Sequence, residues 1–560
     1  MNLHTATAEG IDRTAFAVVE GTITNQHALA QQLDTRPDDL EAIVHAAFLR
    51  WGDDFPQHLH GSFALAVLDL DAARLLLVRD RFGTIPLYYH LDPKTAAVHL
   101  ASRVDDFLTQ RVVRRVASRQ AIWHYLAIGA IPQPQTILAD VQGVRPAETV
   151  VCDLRNATVT AHTWWSPLGH GDDLNDLPQA AHDLRTLLDE AIDTQFAIDP
   201  DTLLLLSGGI DSTVLLALAA QRRQQPHTLT LGYDTSHADF DESGRAAAAA
   251  KAFNAHAEFV KVSDWDIYKA FPRFIRAMDQ PSRDGLNMFI AARAAKAAGA
   301  NSVMTGLGGD EFFTGYPYVM RQIRAERLAP ALRLLHPLAA HLPNRLRHSL
   351  LLPLLTRPER LETARHQLYE DERRRIVSPQ FLGDARQPLR NWLDLCRDIT
   401  DPALDAPRQL SLFDARLDME HTLLRDAYAH CVAAGVTGYS PLLHDERLAE
   451  LAFRLPLACR VRGSQGKLAL TEAVADLLPP TLLGLPKHGF EMPLLRWLGK
   501  ILLPRARETF ASPQAKLLFA PQHLLNWTHR LNDLQPRDYP LWARFLLLAW
   551  LQERNILELD

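Results

Sequence analysis

The sequence predicts an α/β protein whose larger part is built on a doubly wound parallel sheet. Four consecutive leucines at residues 203–206 are typical of a strand buried on both faces, and an apolar stretch with helical spacing follows from Thr213 to about Ala220. A second short strand is predicted at residues 229–233, and another strand is predicted to end at Met304. Strand and helix patterns therefore alternate in this part of the chain, which favours a parallel sheet.

Length and composition restrict the class of protein. A chain of 560 residues is long enough for two domains, and 47% hydrophobic with 22% charged residues indicates a globular protein. The net charge of −7 without a basic block argues against a nucleic-acid partner. The four cysteines are scattered, no signal-peptide pattern is present, and no apolar run reaches about 18 residues. We therefore expect a cytoplasmic protein without structural zinc or a membrane span.

The N-terminal part is predicted to combine strands and helices. A strand at residues 15–20 is expected to end in a turn at 21–22, and a helix is predicted over Leu40–Trp51. Segments 63–68 and 74–78 alternate about a polar turn, which predicts a hairpin. The Arg79-Asp80 pair that follows is, by its chemistry alone, only a charged turn.

A phosphate-binding loop is predicted directly after the leucine strand. Free backbone N–H groups at a helix start form an anion cradle, and glycines let the backbone approach phosphate oxygens. A carboxylate in such a loop repels phosphate unless a cation lies between them, so Asp211 implies Mg²⁺. A flexible turn is the simpler alternative for an isolated Ser-Gly-Gly. The cofactor-binding residues predicted here are Leu206, Ser207, Gly208, Gly209, Asp211 and Ser212.

A second glycine-rich turn follows the strand that ends at Met304. Its sequence, Thr-Gly-Leu-Gly-Gly-Asp-Glu, places Asp310 at the start of a predicted helix. Two aspartates on separate strand-end loops, Asp211 and Asp310, are expected to hold one Mg²⁺ between them. Either loop alone is a weak signal, whereas both loops in this order, about 100 residues apart, form a specific pattern.

The two loops resemble those of the synthetase domain of the asparagine synthetase family. Segments 61–64, 79–80 and 86–89 are similar to the family's glutaminase-like domain. The resemblance implies an Ntn-type αββα sandwich over residues 1–170. An adenine-nucleotide α-hydrolase-like domain with added helices would follow over residues 175–560. It also implies that ATP is split into AMP and pyrophosphate while a carboxylate is activated as an acyl-adenylate.

The resemblance implies further nucleotide contacts. Leu231 and Gly232 would contact the adenine and Gly306 the ribose, although packing in the sheet explains Leu231 equally well. Residues 320–400 have helical spacing and are predicted to line an acceptor cavity or a partner surface, with ordinary helix packing as the alternative. One long helix is predicted over residues 412–434, ended by Gly435.

Three residues are predicted to be catalytic. Lys487 and Lys467 match two lysines of the family, where an ammonium near the triphosphate neutralises charge that develops as pyrophosphate leaves. A solvated surface charge is the alternative for either lysine. Asp279 occupies the region where the family has a glutamate near the reacting groups, and a turn aspartate is an equal alternative.

The departures from the family pattern bear on the source of nitrogen. The family's nucleophilic cysteine follows the initiator Met, where this chain has Asn2, and no cysteine precedes Cys152, so glutamine hydrolysis is not expected. The family's Asn-Gly-Glu substrate loop reads Val-Glu-Gly-Thr at residues 19–22. Leu307 replaces the glutamate of asparagine synthetases and the tyrosine of β-lactam synthetases, and it accepts no proton. Residues 437–441 lose both charged residues of the family segment, so a rebuilt acceptor pocket is expected.

These departures are most similar to lasso-peptide macrolactam synthetases, which join the N-terminal amine of a core peptide to an Asp or Glu side chain. The resemblance implies a precursor core peptide as substrate, with a leader-binding protein and a leader peptidase as partners. The alternatives are an ammonia-dependent asparagine synthetase or a small-molecule cyclase similar to β-lactam synthetases. A third alternative is a degenerate scaffold that only binds ATP and a partner.

Overall fold

Two antiparallel sheets form the centre of the N-terminal part. The computed structural model describes residues 15–168, 173–332, 355–383, 388–463, 465–479, 482 and 491–560. The strands here are β1 (Ala15–Ile23), β2 (Gly61–Asp69), β3 (Arg74–Arg79), β4 (Tyr88–Leu91), β5 (Val98–Ala101), β6 (Val116–Ala117), β7 (Gln142–Gly143), β8 (Glu148–Asp153) and β9 (Thr158–Thr163). One sheet has the order β1-β2-β3-β8-β9 and the other β5-β4-β7.

The alternation of side chains along these strands builds four layers. On β2, Phe63 and Leu65 pack against the helix Leu40–Trp51, while Ala64 faces the second sheet. On β4, Tyr88 faces away from the first sheet and belongs to the same hydrophobic core as the helix Arg119–Ile128. The order helix, sheet, sheet, helix agrees with the expected αββα sandwich.

A parallel sheet forms the centre of the C-terminal part. Its strands are β10 (Leu203–Leu205), β11 (His227–Tyr233), β12 (His256–Val262), β13 (Ser302–Met304) and β14 (Thr437–Tyr439). The strand order is β12-β11-β10-β13-β14, and every pairing is parallel. The chain leaves β10 for β11 on one side and returns to β13 on the other, so the strand order reverses at β10. Such a reversal opens a crevice beyond the carboxyl ends of the two strands, where open α/β sheets bind ligands.

Helices cover both faces of the parallel sheet and extend beyond it. The N-terminal part has Gln26–Leu33, Leu40–Trp51, Val104–Thr109 and Arg119–Ile128. The sheet helices are Leu177–Ile198, Ile210–Ala220, Ser243–Ala252, Asp264–Ala277, Leu286–Ala297, Gly309–Phe312 and Pro317–Leu332. The later helices are Arg357–Arg365, Glu370–Ile376, Pro379–Leu382, Trp392–Asp398, Ala406–Asp414, Arg425–Ala434, Glu446–Arg454, Leu457–Arg460, Leu468–Glu472, Leu494–Gly499, Leu503–Phe510, Pro513–Leu518, Pro521–Arg530 and Tyr539–Glu553. Within the described ranges, no helix combines the length and apolarity that crossing a bilayer requires.

Three local predictions need correction. The turn predicted at residues 21–22 is wrong, because β1 continues through it and Gly21, at φ +116°, still pairs with Phe63 of β2. The helix after β10 begins at Ile210 rather than Thr213, so Asp211 lies in its first turn. The long helix ends at Gly435 as predicted, but a π-helical segment, Ala415–Leu424, interrupts it.

The two parts of the chain share buried contacts. The hydroxyl of Tyr88 donates to Asp279 (2.7 Å), and the hydroxyl of Tyr125 donates to the carbonyl of Ala543 (2.7 Å). A final short strand, β15 (Glu558–Leu559), pairs with β6. One hydrophobic core contains side chains from the helix Arg119–Ile128 together with side chains from the parallel sheet and the last helices. The N-terminal layers therefore pack as one body against the C-terminal part.

Candidate functional site

The loop after β10 is a tight turn held by its own hydroxyl groups. The hydroxyl oxygens of Ser207 and Ser212 lie 3.1 Å apart, and the N–H of Gly209 donates to Ser207 Oγ (3.2 Å). Gly208 has φ +77°, and a Cβ there would lie 2.8 Å from the backbone nitrogen of Ala246. The turn thus requires glycine at this position, both for its conformation and for the close approach of the neighbouring helix.

Leu206, predicted to contact the cofactor, is buried just before this turn. Its N–H donates to the carbonyl of Leu229 (2.9 Å), and its carbonyl accepts from the hydroxyl of Thr230 (2.8 Å). Leu206 therefore anchors the loop to β11.

Lys467 joins the two glycine-rich loops. Its Nζ donates to a carboxylate oxygen of Asp211 and lies 2.7 Å from Oδ1 of Asp310. The lysine side chain is 5% exposed. Burial alone would lower the pKa of Lys467, but the attraction of the two carboxylates outweighs it and raises that pKa. A protonated ammonium thus holds carboxylates from two strand ends at one point.

Glycines make room for this charged centre. A Cβ on Gly306 would lie 2.8 Å from the Cβ of Asp211. A Cβ on Gly309 would collide with the Asp211 carboxylate, and one on Gly315 with the Asp310 carboxylate. The small residues of the second motif are therefore needed for close packing of the two loops around their aspartates.

The donor set at this centre suits Mg²⁺. The carboxylates of Asp211 and Asp310 converge on one cation, the Lys467 ammonium, and their side chains are 16% and 24% exposed. Mg²⁺ prefers oxygen ligands and is commonly bound by one or two carboxylates together with substrate phosphates. In the described part of the chain, no group of three or more His, Cys, Asp or Glu residues could hold a metal ion. The two aspartates therefore fit a metal that takes its other ligands from a bound nucleotide or water.

Glu311 lies beside Asp310 but is buried. Its carboxylate accepts from the N–H of Gly308 (3.1 Å) and from the hydroxyl of Tyr316. Burial raises the pKa of Glu311 to about 7, and the neighbouring charge of Asp310 adds to the increase. Glu311 thus stabilises the conformation of the second loop through these two hydrogen bonds.

A buried cluster of charged and aromatic side chains adjoins this loop and was missed by the sequence analysis. Arg365 lies 3.0 Å from a carboxylate oxygen of Asp414 and 3.0 Å from one of Asp418. Its guanidinium carbon lies 4.3 Å from the ring centre of Tyr316. The available signal was a pair of aspartates four residues apart within a largely apolar helical stretch. The Arg365 cluster comprises Arg283, Tyr316, Tyr318, Arg365, Asp414 and Asp418.

The segment that was expected to be rebuilt lies against the second loop. The hydroxyl of Ser440 donates to the carbonyl of Leu307 (2.6 Å), and the N–H of Thr305 donates to the carbonyl of Tyr439 (2.8 Å). The Tyr439 hydroxyl donates to the carbonyl of Ala191 (3.1 Å). Neutral side chains therefore fix this segment beside Leu307.

The other predicted site residues have different surroundings. Leu231 and Gly232 lie within β11, and Leu231 is buried. Asp279 is buried at the contact with the N-terminal part, where it accepts from the Tyr88 hydroxyl and from the N–H of Val104 (both 2.7 Å). These are contacts of a residue that joins the two parts, and the catalytic role of Asp279 stays a prediction. Lys487 and Asn2 lie outside the described residues.

In the N-terminal part, the motif residues are engaged in internal contacts. Arg79 is fully buried and donates to the carbonyls of Ile85 (2.8 Å) and Val144 (2.9 Å) and to the Gln133 side chain (2.6 Å). Asp80, also fully buried, accepts from backbone N–H groups of the following turn. The Arg-Asp pair therefore ties the sandwich together.

The fold and the site together define a class of protein. A glycine-rich anion cradle and two converging aspartates occupy the switch point of a doubly wound parallel sheet, as in α/β nucleotide-binding proteins. Comparison with known proteins then gives the family. The sequence model of asparagine synthase matches residues 183–552, and that of the glutamine amidotransferase domain matches residues 9–165. The first match spans more than half of the chain. The chain therefore belongs to the asparagine synthase family.

Individual relatives are distant but extend along the chain. A putative glutamine-hydrolyzing asparagine synthetase of Mycobacterium tuberculosis is 27% identical over 564 residues, covering 95% of this chain and 83% of the relative. Glutamine-hydrolyzing asparagine synthetase 1 of Bacillus subtilis is 21% identical over 563 residues, covering 96% and 85%. Amidase chry2 of Gibberella zeae is 26% identical over 298 residues, covering 49% and 42%. The protein is thus an asparagine synthetase-like enzyme, an ATP-dependent carbon–nitrogen ligase with an Ntn-type amidotransferase domain.

Proposed function

We propose that this ligase forms a macrolactam between the N-terminal amine of a leader-cleaved precursor peptide and an Asp or Glu side chain of the same peptide. A leader-binding protein and a leader peptidase would supply that substrate. The proposal concerns the acceptor and the amine, whereas ATP-dependent formation of a carbon–nitrogen bond is common to the family.

The observation that carries the proposal is the burial of the cysteine thiols. All four cysteines of the sequence, Cys152, Cys396, Cys431 and Cys459, are buried. Burial raises the pKa of Cys152 in the N-terminal part to about 11 and that of Cys431 to about 12. Glutamine hydrolysis in such domains needs an accessible thiolate. The cysteines of this sequence offer none, so the nitrogen would come from an amine other than that of glutamine.

The surroundings of the second loop support a peptide acceptor. Leu307 stands where asparagine synthetases have a glutamate, and Thr437 and Tyr439 stand where the family segment has its two charged residues. This segment lies against the second loop, since the Ser440 hydroxyl donates to the carbonyl of Leu307. A side chain that takes up protons is therefore not available at position 307, as asparagine synthetases and β-lactam synthetases would need. The larger acceptor would instead lie along the Arg365 cluster.

In this proposal, each step has residues that serve it. Backbone N–H groups of the loop at residues 207–212 hold phosphate oxygens, and Asp211 with Asp310 would hold Mg²⁺, which supplies positive charge against the phosphates. A peptide carboxylate oxygen bonds to the α-phosphorus and pyrophosphate leaves. The amine nitrogen then bonds to the carbonyl carbon, the bond to AMP breaks, and the amine releases a proton. Lys467, and Lys487 if it reaches the site, would stabilise the negative charge.

The proposal is tested with the purified chain, Mg-ATP and the leader-cleaved peptide encoded beside its gene. We expect a product lighter than the peptide by one water, together with AMP. A peptide whose acceptor Asp or Glu is replaced by Asn or Gln serves as the matched control and should give neither. AMP formation without loss of water from the peptide would overturn the proposal.

An ammonia-dependent asparagine synthetase is the second candidate, favoured by the names of the M. tuberculosis and B. subtilis relatives. AMP formation that requires aspartate and ammonia, and is unaffected by the peptide, would establish it.

A further inference from the structure

A cavity of about 360 Å³ lies between the segment that follows Arg365 and the last helices of the chain. Its walls include Tyr369, Trp527 and Leu541 as aromatic and apolar surface. Four arginines line it but only two carboxylates, so the wall is positive overall. Cavities of this size and composition are typical of sites for small ligands or ligand side chains.

Arg544 distinguishes this cavity from a solvent-filled gap. It is 7% exposed, and its Nε is buried without a hydrogen-bond partner in the part of the chain that the structure describes. The carboxylates of Glu372 and Asp538 attract its charge, but no ion pair or hydrogen bond joins either of them to the guanidinium. Its guanidinium carbon lies 4.5 Å from the ring centre of Trp527, which covers one face. Burial lowers the pKa of Arg544 to about 9, which reflects its poor solvation. A buried guanidinium whose N–H group lacks an acceptor is costly, so a ligand that supplies acceptor oxygens would gain affinity.

The other charged side chains on the wall have hydrogen-bond or ion-pair partners or are exposed to water. Arg530 pairs with Asp538 at 2.8 Å, and Glu372 accepts from the N–H of Tyr369 at 3.0 Å. Arg375 pairs with Asp371 at 2.8 Å, and Arg537 is exposed to water. Among the described residues, the Arg544 guanidinium is thus left without a bonded carboxylate. Glu372, whose charge the backbone N–H of Tyr369 does not neutralise, attracts Arg544 from nearby without bonding to it. A single planar guanidinium with five donors suits the two oxygens of one carboxylate, whereas a phosphate dianion would need a second buried cation.

The cavity adjoins the synthetase site. Its wall begins at His366, the residue after Arg365, whose guanidinium lies against Tyr316. The Tyr316 hydroxyl in turn donates to Glu311, next to Asp310. A peptide that reacts at the two aspartates would have to extend over this series of contacts for a distant part of its chain to lie at Arg544.

We propose that this cavity binds a carboxylate of the substrate peptide remote from the reacting groups, with Arg544 as its bidentate partner and Trp527 and Tyr369 contacting the adjoining side chain. The identity of the occupant rests on the proposed function, whereas the preference for an organic carboxylate does not. Binding energy from a remote part of a substrate is available to position its reacting groups.

The carboxylate site is tested first without any peptide. N-acetylphenylalanine and N-acetylphenylalaninamide differ only in the carboxylate, and their effect on the melting temperature is measured for the whole chain. We expect the acid to raise the melting temperature and the amide to have no effect. Arg544→Gln should abolish the shift, whereas Arg537→Gln, at the exposed arginine of the same wall, should retain it. Equal shifts with acid and amide, or a shift that survives in Arg544→Gln, would overturn the site.

The occupant is tested with the cognate peptide in acid and C-terminal amide forms. We expect amidation to raise the KM of the wild type about tenfold, as loss of a charged hydrogen-bonded pair predicts. The KM of Arg544→Gln should be raised similarly and be insensitive to amidation. Arg544→Lys keeps the positive charge but loses the paired N–H donors of the guanidinium, so its KM should lie between those of the wild type and Arg544→Gln. This variant is the control for misfolding of Arg544→Gln. Product formation with the same KM for acid and amide would refute this occupant while leaving macrolactam formation intact. A shift of the melting temperature with N-acetylphenylalanine, without any cyclic peptide product, would refute macrolactam formation and leave the carboxylate site intact.

Discussion

The charged motifs of the two parts of the molecule have opposite environments. In the N-terminal part, Arg79 and Asp80 are fully buried and bonded to neighbouring backbone, and the Cys152 thiol is buried with a raised pKa. At the C-terminal site, the carboxylates of Asp211 and Asp310 remain partly exposed and converge on one ammonium. Burial with complete internal bonding gives a structural role, whereas partial exposure with convergent charge leaves groups able to act on a ligand.

Replacement of Asp211 tests the C-terminal site and should have the largest effect on activity. Asp211→Asn removes a carboxylate from the shared cation site and weakens the hold on Lys467. We expect AMP formation to fall by at least about 1,000-fold. Pyrophosphate release is the measurement. Asp201→Asn, at an exposed aspartate before the same strand, is the matched control and should be neutral. Comparable activity of the two variants would contradict the assignment.

Replacement of Lys467 should have the next largest effect. Lys467→Met leaves the Asp211 and Asp310 carboxylates close together without their shared ammonium. We expect pyrophosphate release to fall by about 100-fold and the melting temperature to decrease. Lys500→Met changes an exposed lysine and should alter neither. If Lys467→Met retains full activity, the ammonium is only a structural clamp.

The contact between the two parts should make stability depend on pH. Glu420 is buried on the π-helical segment and interacts with the charges of Arg79 and Arg145 of the N-terminal part. Burial raises the pKa of Glu420 to about 8, although these arginines oppose the increase. Between its ordinary pKa and this value, the folded protein binds more protons than the unfolded chain, so stability falls as pH rises. Glu420→Gln cannot ionise, so it should melt a few degrees higher than the wild type at pH 9 and similarly at pH 5. Parallel melting curves of both proteins against pH would contradict this.

Replacement of the N-terminal thiol should have the smallest effect on activity. The Cys152 side chain is buried between the two sheets. We expect Cys152→Ala to keep the wild-type rate of AMP formation, with a modest decrease in melting temperature from the lost packing. Glutamate release from glutamine should be undetectable in both proteins. Glutamate release that disappears in Cys152→Ala would invalidate the contrast between the two parts.

Sequence patterns predicted the elements whose signals lie within a short stretch of the chain. The leucine strand, the hairpin and the helix Leu40–Trp51 were found because their periodicity and turn residues agree within short windows. The order of the two glycine-rich loops also predicted that their aspartates meet, since parallel strands end at one edge.

What the sequence could not show depends on distant contacts. Lys467 reaches Asp211 across 256 positions, and no local pattern encodes that pairing. The Arg365 cluster likewise gathers residues from several helices around Asp414 and Asp418. The turn wrongly predicted at residues 21–22 shows the converse error, because pairing with β2 overrode the local preference of Gly21.

The most direct test of the central claim follows an oxygen atom. A core peptide labelled with oxygen-18 in its acceptor carboxylate is incubated with Mg-ATP and the enzyme, and the released AMP is analysed by mass spectrometry. If the site adenylates that carboxylate, each AMP carries one labelled oxygen and the cyclic product has lost one. Unlabelled AMP, or ADP with labelled phosphate, would contradict the account.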